Sequence, residues 1–215
     1  MELTVYTIKG EKTARTVRLS EEVFNIEPND HAIWLDTRQI MANRRQGTHD
    51  SLERAEVAGS TRKLKRQKGT GTARAGSIKS GTIRGGGRMF GPHPRDYSFK
   101  LNKKVKRLAR VSALTYKAKD NEIVVLEDFS FDKPRTKDFA GILKAFELEG
   151  KSALLVVKDN DQNLVLSGRN IQKAKVSRAS DLNTYDILRA RKLLVLESSI
   201  TEIERLLGEK EAANS

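Results

Sequence analysis

Apolar positions along this chain follow two different rhythms, separated by a long stretch that keeps neither. Leu3 to Ile8 alternate in the manner of a half-buried strand, Gly10 marks a turn, and a second short strand follows. Pro28-Asn29-Asp30 is a helix start, with Asn29 or Asp30 able to cap the first free amides. Beyond it Ile33, Thr37, Ile40 and Met41 fall on one face with Trp34 beside them, an ordinary core stripe that stops at Arg44-Arg45-Gln46-Gly47. The helical period returns at Leu101. Leu101, Val105, Leu108, Ala109, Ser112 and Tyr116 lie within roughly 100° of one another on a helical wheel, with Lys103, Lys106, Arg107, Arg110 and Lys117 opposite. A solvated polar face explains such a basic side, and phosphate contact explains it better, because the five positions include no acid.

After residue 120 the rhythm is regular. Near-continuous Val/Leu/Ile runs at Ile123 to Leu126, Ala153 to Val157 and Leu193 to Leu196 have the composition of parallel strands covered on both faces. Helical stripes lie between or after them: Phe139, Ile142, Leu143 and Phe146, with Gly150 as the C-cap; Leu182, Tyr185 and Leu188; and Ile200, Ile203 and Leu207, opened by a Ser199/Glu202 capping box and stopped by Gly208. Alternating strands and helices predict an α/β fold, a layered domain with a mostly parallel sheet flanked by helices.

Residues 46–100 show no sustained period of 2 or 3.6. Leu64, Ile78, Ile83, Met89, Phe90, Tyr97 and Phe99 are too scattered to build a core of their own. The expected organisation is therefore a discontinuous globule of residues 1–45 and 101–208, a long extended basic loop at 46–100 inserted in it, and a frayed polar tail at 209–215.

Charge sharpens this picture. The chain has 215 residues, 41 Lys/Arg against 28 Asp/Glu, and a net charge of +13. Residues 44–110 alone hold 19 Lys/Arg and 4 Asp/Glu, a net of +15, so the remainder is slightly acidic. Eight of the 15 glycines lie between Ser60 and Lys100, and Asp96 is the one acidic residue there. A flexible solvated loop is the plain alternative, but a compact domain rarely carries so long a run of like charge without a polyanion to condense on it. Lys and Arg neutralise phosphates, Arg adds bidentate contacts and stacking, and glycines let a backbone follow an irregular RNA surface. Fully extended, the loop reaches very roughly 80–90 Å, enough to penetrate a large RNA.

Other classes find little support. No apolar run approaches the roughly 18–20 residues that span a bilayer, the first six residues do not open a signal peptide, and the basic segment has no strong apolar face for a membrane surface. The chain has no cysteine, which excludes disulfides, thiolate metal sites and cysteine nucleophiles and fits a reducing cytosol. Gly150-Lys151-Ser152 ends like a P-loop, but Ala145 stands at the first glycine position and the triplet leads into a strand. Gly69-Thr70-Gly71-Thr72-Ala73-Arg74 starts like a dinucleotide fingerprint but ends on Arg with no strand before it. His31, His49 and His93 lack metal-ligand spacing, and Asp128 with Asp132 is too little for an acid/base pair. No cofactor, metal or small-molecule substrate is expected. A nucleic-acid-modifying enzyme is the alternative reading, regulation of the protein's own message a third, and DNA packaging lacks a groove-reading motif. The residues expected to contact RNA are Arg44, Arg45, Arg54, Arg62, Lys63, Lys65, Arg66, Lys68, Arg74, Lys79, Arg84, Arg88, Arg95 and Lys100 in the loop, with Lys103, Lys104, Lys106, Arg107 and Arg110 beyond it.

Arg45-Gln46-Gly47-Thr48, Arg54-Ala55-Glu56-Val57, Arg66-Gln67-Lys68-Gly69-Thr70-Gly71, Ala73-Arg74-Ala75-Gly76-Ser77, Phe90-Gly91-Pro92 and Asn102-Lys103-Lys104 together resemble the bacterial form of the universal L-four family of large-subunit ribosomal proteins. The order and spacing match, and the flanking α/β pattern extends the resemblance over essentially the whole chain. It implies a structural, non-enzymatic, cytoplasmic component of the large ribosomal subunit that binds large-subunit rRNA and supports assembly. It also implies that the loop lines the constriction of the peptide exit tunnel, facing ribosomal protein twenty-two and the nascent polypeptide, with Arg62, Lys63, Leu64, Lys65, Arg66, Gln67 and Lys68 nearest the tunnel. Leu64-Lys65 stands where many members have Pro-Trp, and Thr72 where many have Arg.

Overall fold

The computed structural model describes residues 1–208; the tail expected to fray, 209–215, lies outside them. Two compact units emerge: Met1–Met41 with the chain from Lys100 onward, and Ala42–Phe99.

The first unit is built on a six-stranded sheet of order β2-β1-β3-β6-β4-β5. Strands β1 (Glu2–Tyr6) and β2 (Lys12–Arg18) form an antiparallel hairpin, Glu2 opposite Arg18 and Tyr6 opposite Lys12. The turn between them places Gly10 at φ +87, a left-handed conformation that glycine adopts without strain. Every other pairing is parallel: β1 with β3 (Ile123–Leu126), β3 with β6 (Lys192–Leu196), β6 with β4 (Ala153–Val157), and β4 with β5 (Ala174–Arg178).

The uninterrupted apolar runs make sense once both faces are covered. All five residues of β4 are buried. Leu154 and Val156 join one core with Leu193 and Val195, while Ala153, Leu155 and Val157 join the other with Leu194 and Leu196. The first core is closed by α1 (Glu21–Phe24), α3 (Lys103–Lys119), α6 (Thr184–Arg189) and α7 (Glu197–Leu207), through Phe24, Leu114, Ile187 and Ile203. The second is closed by α4 (Thr136–Ala145) and α5 (Gln162–Arg169), through Phe139, Ile142 and Leu164. Each such side chain removed from water contributes about 1.5–3 kcal/mol before the entropy cost of ordering it. The expected α/β class, with a mostly parallel sheet flanked by helices, is the fold observed.

Several local expectations need correction. Helix α2 (Asp30–Asn43) starts where expected, and the Asn29 side chain accepts the Ala32 amide at 2.9 Å. Its buried positions are Ala32, Ile33, Asp36 and Gln39, however, while Trp34 and Met41 are exposed. In α3 the buried surface wraps nearly all round from Ala109 to Ala118, and α1, α6 and α7 all pack against this helix. Leu108, assigned to the apolar stripe, is exposed. Lys117, assigned to the basic face, is buried and donates to Glu122 and to the Ala190 carbonyl. In α6 the buried residues are Thr184, Asp186 and Ile187, with Leu188 exposed.

Two caps also differ. Helix α4 ends on Glu147 at φ +57, with the Leu148 amide returning to the Leu143 carbonyl at 2.8 Å, and Gly150 occupies the next turn. No Ser199/Glu202 capping box forms, since α7 begins directly off β6. Ser199 instead donates to the Val156 carbonyl at 3.2 Å, and Asp128 receives the Ser198 amide at 3.1 Å. Gly208 does end α7. Helix α1, helix α5 and strand β5 have no counterpart in the expected pattern; all are short, and β5 alternates polar and apolar at the sheet edge.

Candidate nucleic-acid interface

Residues 46–100 contain no helix or strand. Their order comes from close backbone approach and a few side-chain clusters. Where the chain enters and leaves the second unit, the Arg95 amide donates to the Gly47 carbonyl at 3.1 Å and the Phe99 amide to Asn43 Oδ1 at 3.2 Å. Tyr97 is the centre of this stem. The Arg45 guanidinium lies 3.7 Å from its ring centroid and Arg95 4.5 Å, His49 stacks on it, and the Tyr97 hydroxyl and His49 Nε2 are 3.3 Å apart. Two arginines on one electron-rich ring are held close despite their like charge. Gly47 makes the approach possible: a Cβ there would fall 2.0 Å from the Arg95 carbonyl oxygen.

Further along, Gly86 and Gly87 cross other backbone. A Cβ on Gly86 would be 1.8 Å from the Ser80 carbonyl oxygen, and one on Gly87 would be 2.4 Å from the Arg54 amide nitrogen. The crossing is fastened by Gly87 donating to Lys79 at 3.0 Å and Arg88 to Leu52 at 2.9 Å. Around it lies a cleft of about 970 Å³ whose lining includes Arg54, Lys79, Arg88 and His93. His93 Nε2 stands 3.0 Å from Glu53 and Nδ1 3.5 Å from Asp50.

At the far end the Leu64 amide donates to the Gly76 carbonyl at 2.7 Å. Lys63 donates to Gln67 at 2.6 Å and Lys65 to Thr72 at 2.8 Å. Gly69 and Gly71 take left-handed conformations, with φ of +84 and +62. Arg62, Lys63, Arg66, Lys68 and Arg74 are exposed here, Lys65 is half-buried and Leu64 is exposed.

Residues 57–95 contain ten Lys/Arg and no acid. The four acids of the unit flank that run in sequence: Asp50 and Glu53 lie against His93, with Glu53 also lining the cleft, Glu56 accepts the Glu53 amide, and Asp96 accepts from Ser98. The Ser98 amide and hydroxyl hold the Asp96 carboxyl below its ordinary range. The rest of the unit is therefore strongly positive, with Glu53 the carboxylate at the cleft, and its field has several ångströms of reach at physiological salt.

The expected contact residues thus divide. Arg45 and Arg95 meet at the stem, Arg54, Lys79 and Arg88 meet at the cleft, and six cations gather at the tip. Arg44 and Arg84 are exposed. In the globular unit Lys100, Lys103 and Lys104 are exposed before and at the start of α3, and Lys106 and Arg110 are half-buried. Arg107 is held inward by the carbonyls of Leu207 and Gly208. The stem cluster was not assembled from sequence, although Arg95-Asp96-Tyr97 carried the signal, a cation two residues from an aromatic in an otherwise apolar-poor stretch. Among the described residues no group of three or more His, Asp or Glu is placed to hold a metal ion, and no helix is long and apolar enough to cross a membrane.

Comparison with known proteins accounts for this unusual pairing of an α/β sheet with a basic, glycine-rich segment. The model of the Ribosomal protein L4/L1 family matches residues 17–206. Large ribosomal subunit protein uL4 of Christiangramia forsetii is 57% identical over 97% of this chain and 100% of its own length. The uL4 proteins of Phocaeicola vulgatus (56% identical over 97% of this chain and 100% of its own length) and Parabacteroides distasonis (57% over 95% and 98%) are similarly close. With the family match running from β2 to the last turn of α7, and relatives aligned end to end, the chain belongs to the ribosomal protein L4/L1 family, a family of structural proteins and not of enzymes.

Proposed function

We propose that this ribosomal protein is built into the large subunit by its basic unit, which folds onto large-subunit rRNA and supports assembly. The globule of residues 1–45 and 101–208 docks through Lys103, Lys104, Lys106 and Arg110, and the segment 46–100, Lys100 included, follows the RNA inward. Its tip, Arg62, Lys63, Leu64, Lys65, Arg66, Gln67 and Lys68, lines the constriction of the exit tunnel, opposite ribosomal protein twenty-two and within reach of the nascent chain. The protein works in the cytoplasm, in the ribosome. The observation that carries this reading is the acid-free run of ten cations in a segment, 46–100, without helix or strand. Such a surface has little to gain from folding on itself and much to gain from releasing the counterions of a polyanion.

Sedimentation of cell lysate on sucrose gradients tests it. Stoichiometric migration with the large subunit that survives a high-salt wash is the expected result. Release into the soluble fractions at modest salt would reduce the protein to a peripheral electrostatic ligand and overturn the buried segment.

A further inference from the structure

Phe90 is the most exposed large apolar residue described, at 103% of its reference accessibility, and it is also one of the few non-glycine residues with positive φ, +52. Either feature alone is unfavourable. An aromatic ring fully in water gives up about 150–250 Å² of burial, and the left-handed backbone is strained for a side chain of this bulk. The segment around it is nonetheless ordered: the Gly87 and Arg88 amides are both fastened, and Gly91 packs so closely on Ser51 that a Cβ would fall 1.8 Å from its Oγ. Phe90 is thus pinned on both sides in a conformation that turns its ring outward.

It stands at the 970 Å³ cleft together with Met89, Arg54, Lys79, Arg88 and Glu53. Three cations, an aromatic face, a thioether and one carboxylate are a mixed set. The cations attract phosphate, but a carboxylate in the same cleft repels it. What accepts all of them is a nucleotide: phosphate on the cations, base on the ring, and a base N–H on the Glu53 carboxylate, which His93 already holds in place. The volume lies at the upper end of the range of small-ligand sites and exceeds what one nucleotide fills.

We infer that the cleft beside Phe90 receives a single unpaired nucleotide of the RNA, with its base stacked on the Phe90 ring. This rests on the proposed RNA-binding role and adds a base-level contact to an otherwise electrostatic one. Stacking carries no charge, so its signature is separable from that of the lysines and arginines. Full-length protein is titrated with transcribed large-subunit rRNA over a range of salt. Phe90→Ala is expected to weaken binding roughly 5- to 100-fold with the salt slope unchanged. Phe90→Tyr is expected to bind like the parent, and Arg66→Ala to lower the slope by about one.

A second readout guards against a mere disturbance of the loop. Trp34 is the only tryptophan, so the double variant Trp34→Phe, Phe90→Trp carries its one reporter at the cleft. Its emission is expected to be quenched on saturation with rRNA. Parent-like affinity of Phe90→Ala, or unquenched emission at saturation, overturns the stacking contact while salt-dependent binding keeps the wider reading intact. Absence of salt-dependent binding by the parent protein overturns both.

Discussion

Gly86 acts through the side chain it lacks. The Ser80 carbonyl occupies the place of its Cβ, and the turn donates Ile83 to Ser80 at 3.0 Å and Gly86 to Ile83 at 2.9 Å. Gly86→Ala is therefore expected to open this turn, seen as faster amide exchange at Ile83, Gly86 and Gly87. Gly76 is the control: nothing lies within 4 Å of its missing Cβ and its φ is not left-handed. Gly76→Ala is expected to leave those rates unchanged and to stiffen the unfolded chain; equal effects of the two substitutions would remove the steric account. Tyr116 poses a different question at the same scale. Its hydroxyl donates to Asp30 Oδ1 at 2.7 Å, and that bond raises its pKa above the ordinary phenol value near 10. A raised folded-state pKa means a contribution fully present below pH 10 and lost as the pH climbs through the folded value. The stability gap between the parent protein and Tyr116→Phe should narrow above pH 10, as followed by urea melts. A gap that stays constant or widens contradicts the assigned partner.

At the scale of elements, hydropathy alone located the strands well and the helix faces less well. Strands β3, β4 and β6 stood out because residues covered on both faces leave no polar interruption. Helix α2 misled for a physical reason. Its buried side includes Asp36, 3% exposed, and Gln39, while Trp34 stacks outside between His31 and Arg38. Asp36 is stable there because Thr184 Oγ1 donates to it at 2.5 Å, a partner 148 residues away that no local pattern contains. Lys117 escaped notice in the same way, since its partners Glu122 and Ala190 come from the ends of other elements. The α2–α6 bond yields a prediction. Asp36→Ala leaves the buried Thr184 hydroxyl without its acceptor and should cost about 1–3 kcal/mol in urea unfolding. Adding Thr184→Val should recover part of that loss, giving a measurable coupling. Purely additive effects would mean that the two side chains do not meet.

At the scale of the molecule, the basic segment was legible from charge and glycine content, but its internal order was not. Tyr97 with Arg45, and the backbone crossing of Gly87 over Arg54, join residues far apart in the chain whose types carry no periodic signal. This division has a consequence for stability. The two cores draw every buried residue from outside 42–99, so the sheet and its helices have apolar cores of their own. Deleting residues 58–92, with a short glycine-serine bridge, should leave the cooperative thermal transition within about 1 kcal/mol of the parent, because loop-closure entropy changes only slowly with length. The shortened protein keeps the α3 cations Lys103, Lys104, Lys106 and Arg110 but loses nine of the ten cations in the acid-free run. It should still touch rRNA, with a much smaller salt slope, and it should fail to yield large subunits of normal sedimentation when it is the only copy in the cell. A normal subunit assembled around the deletion would show that the segment is dispensable, and the positive run would then need another polyanion. Loss of the thermal transition itself would show instead that the globule depends on the segment to fold, contrary to the separation of the cores.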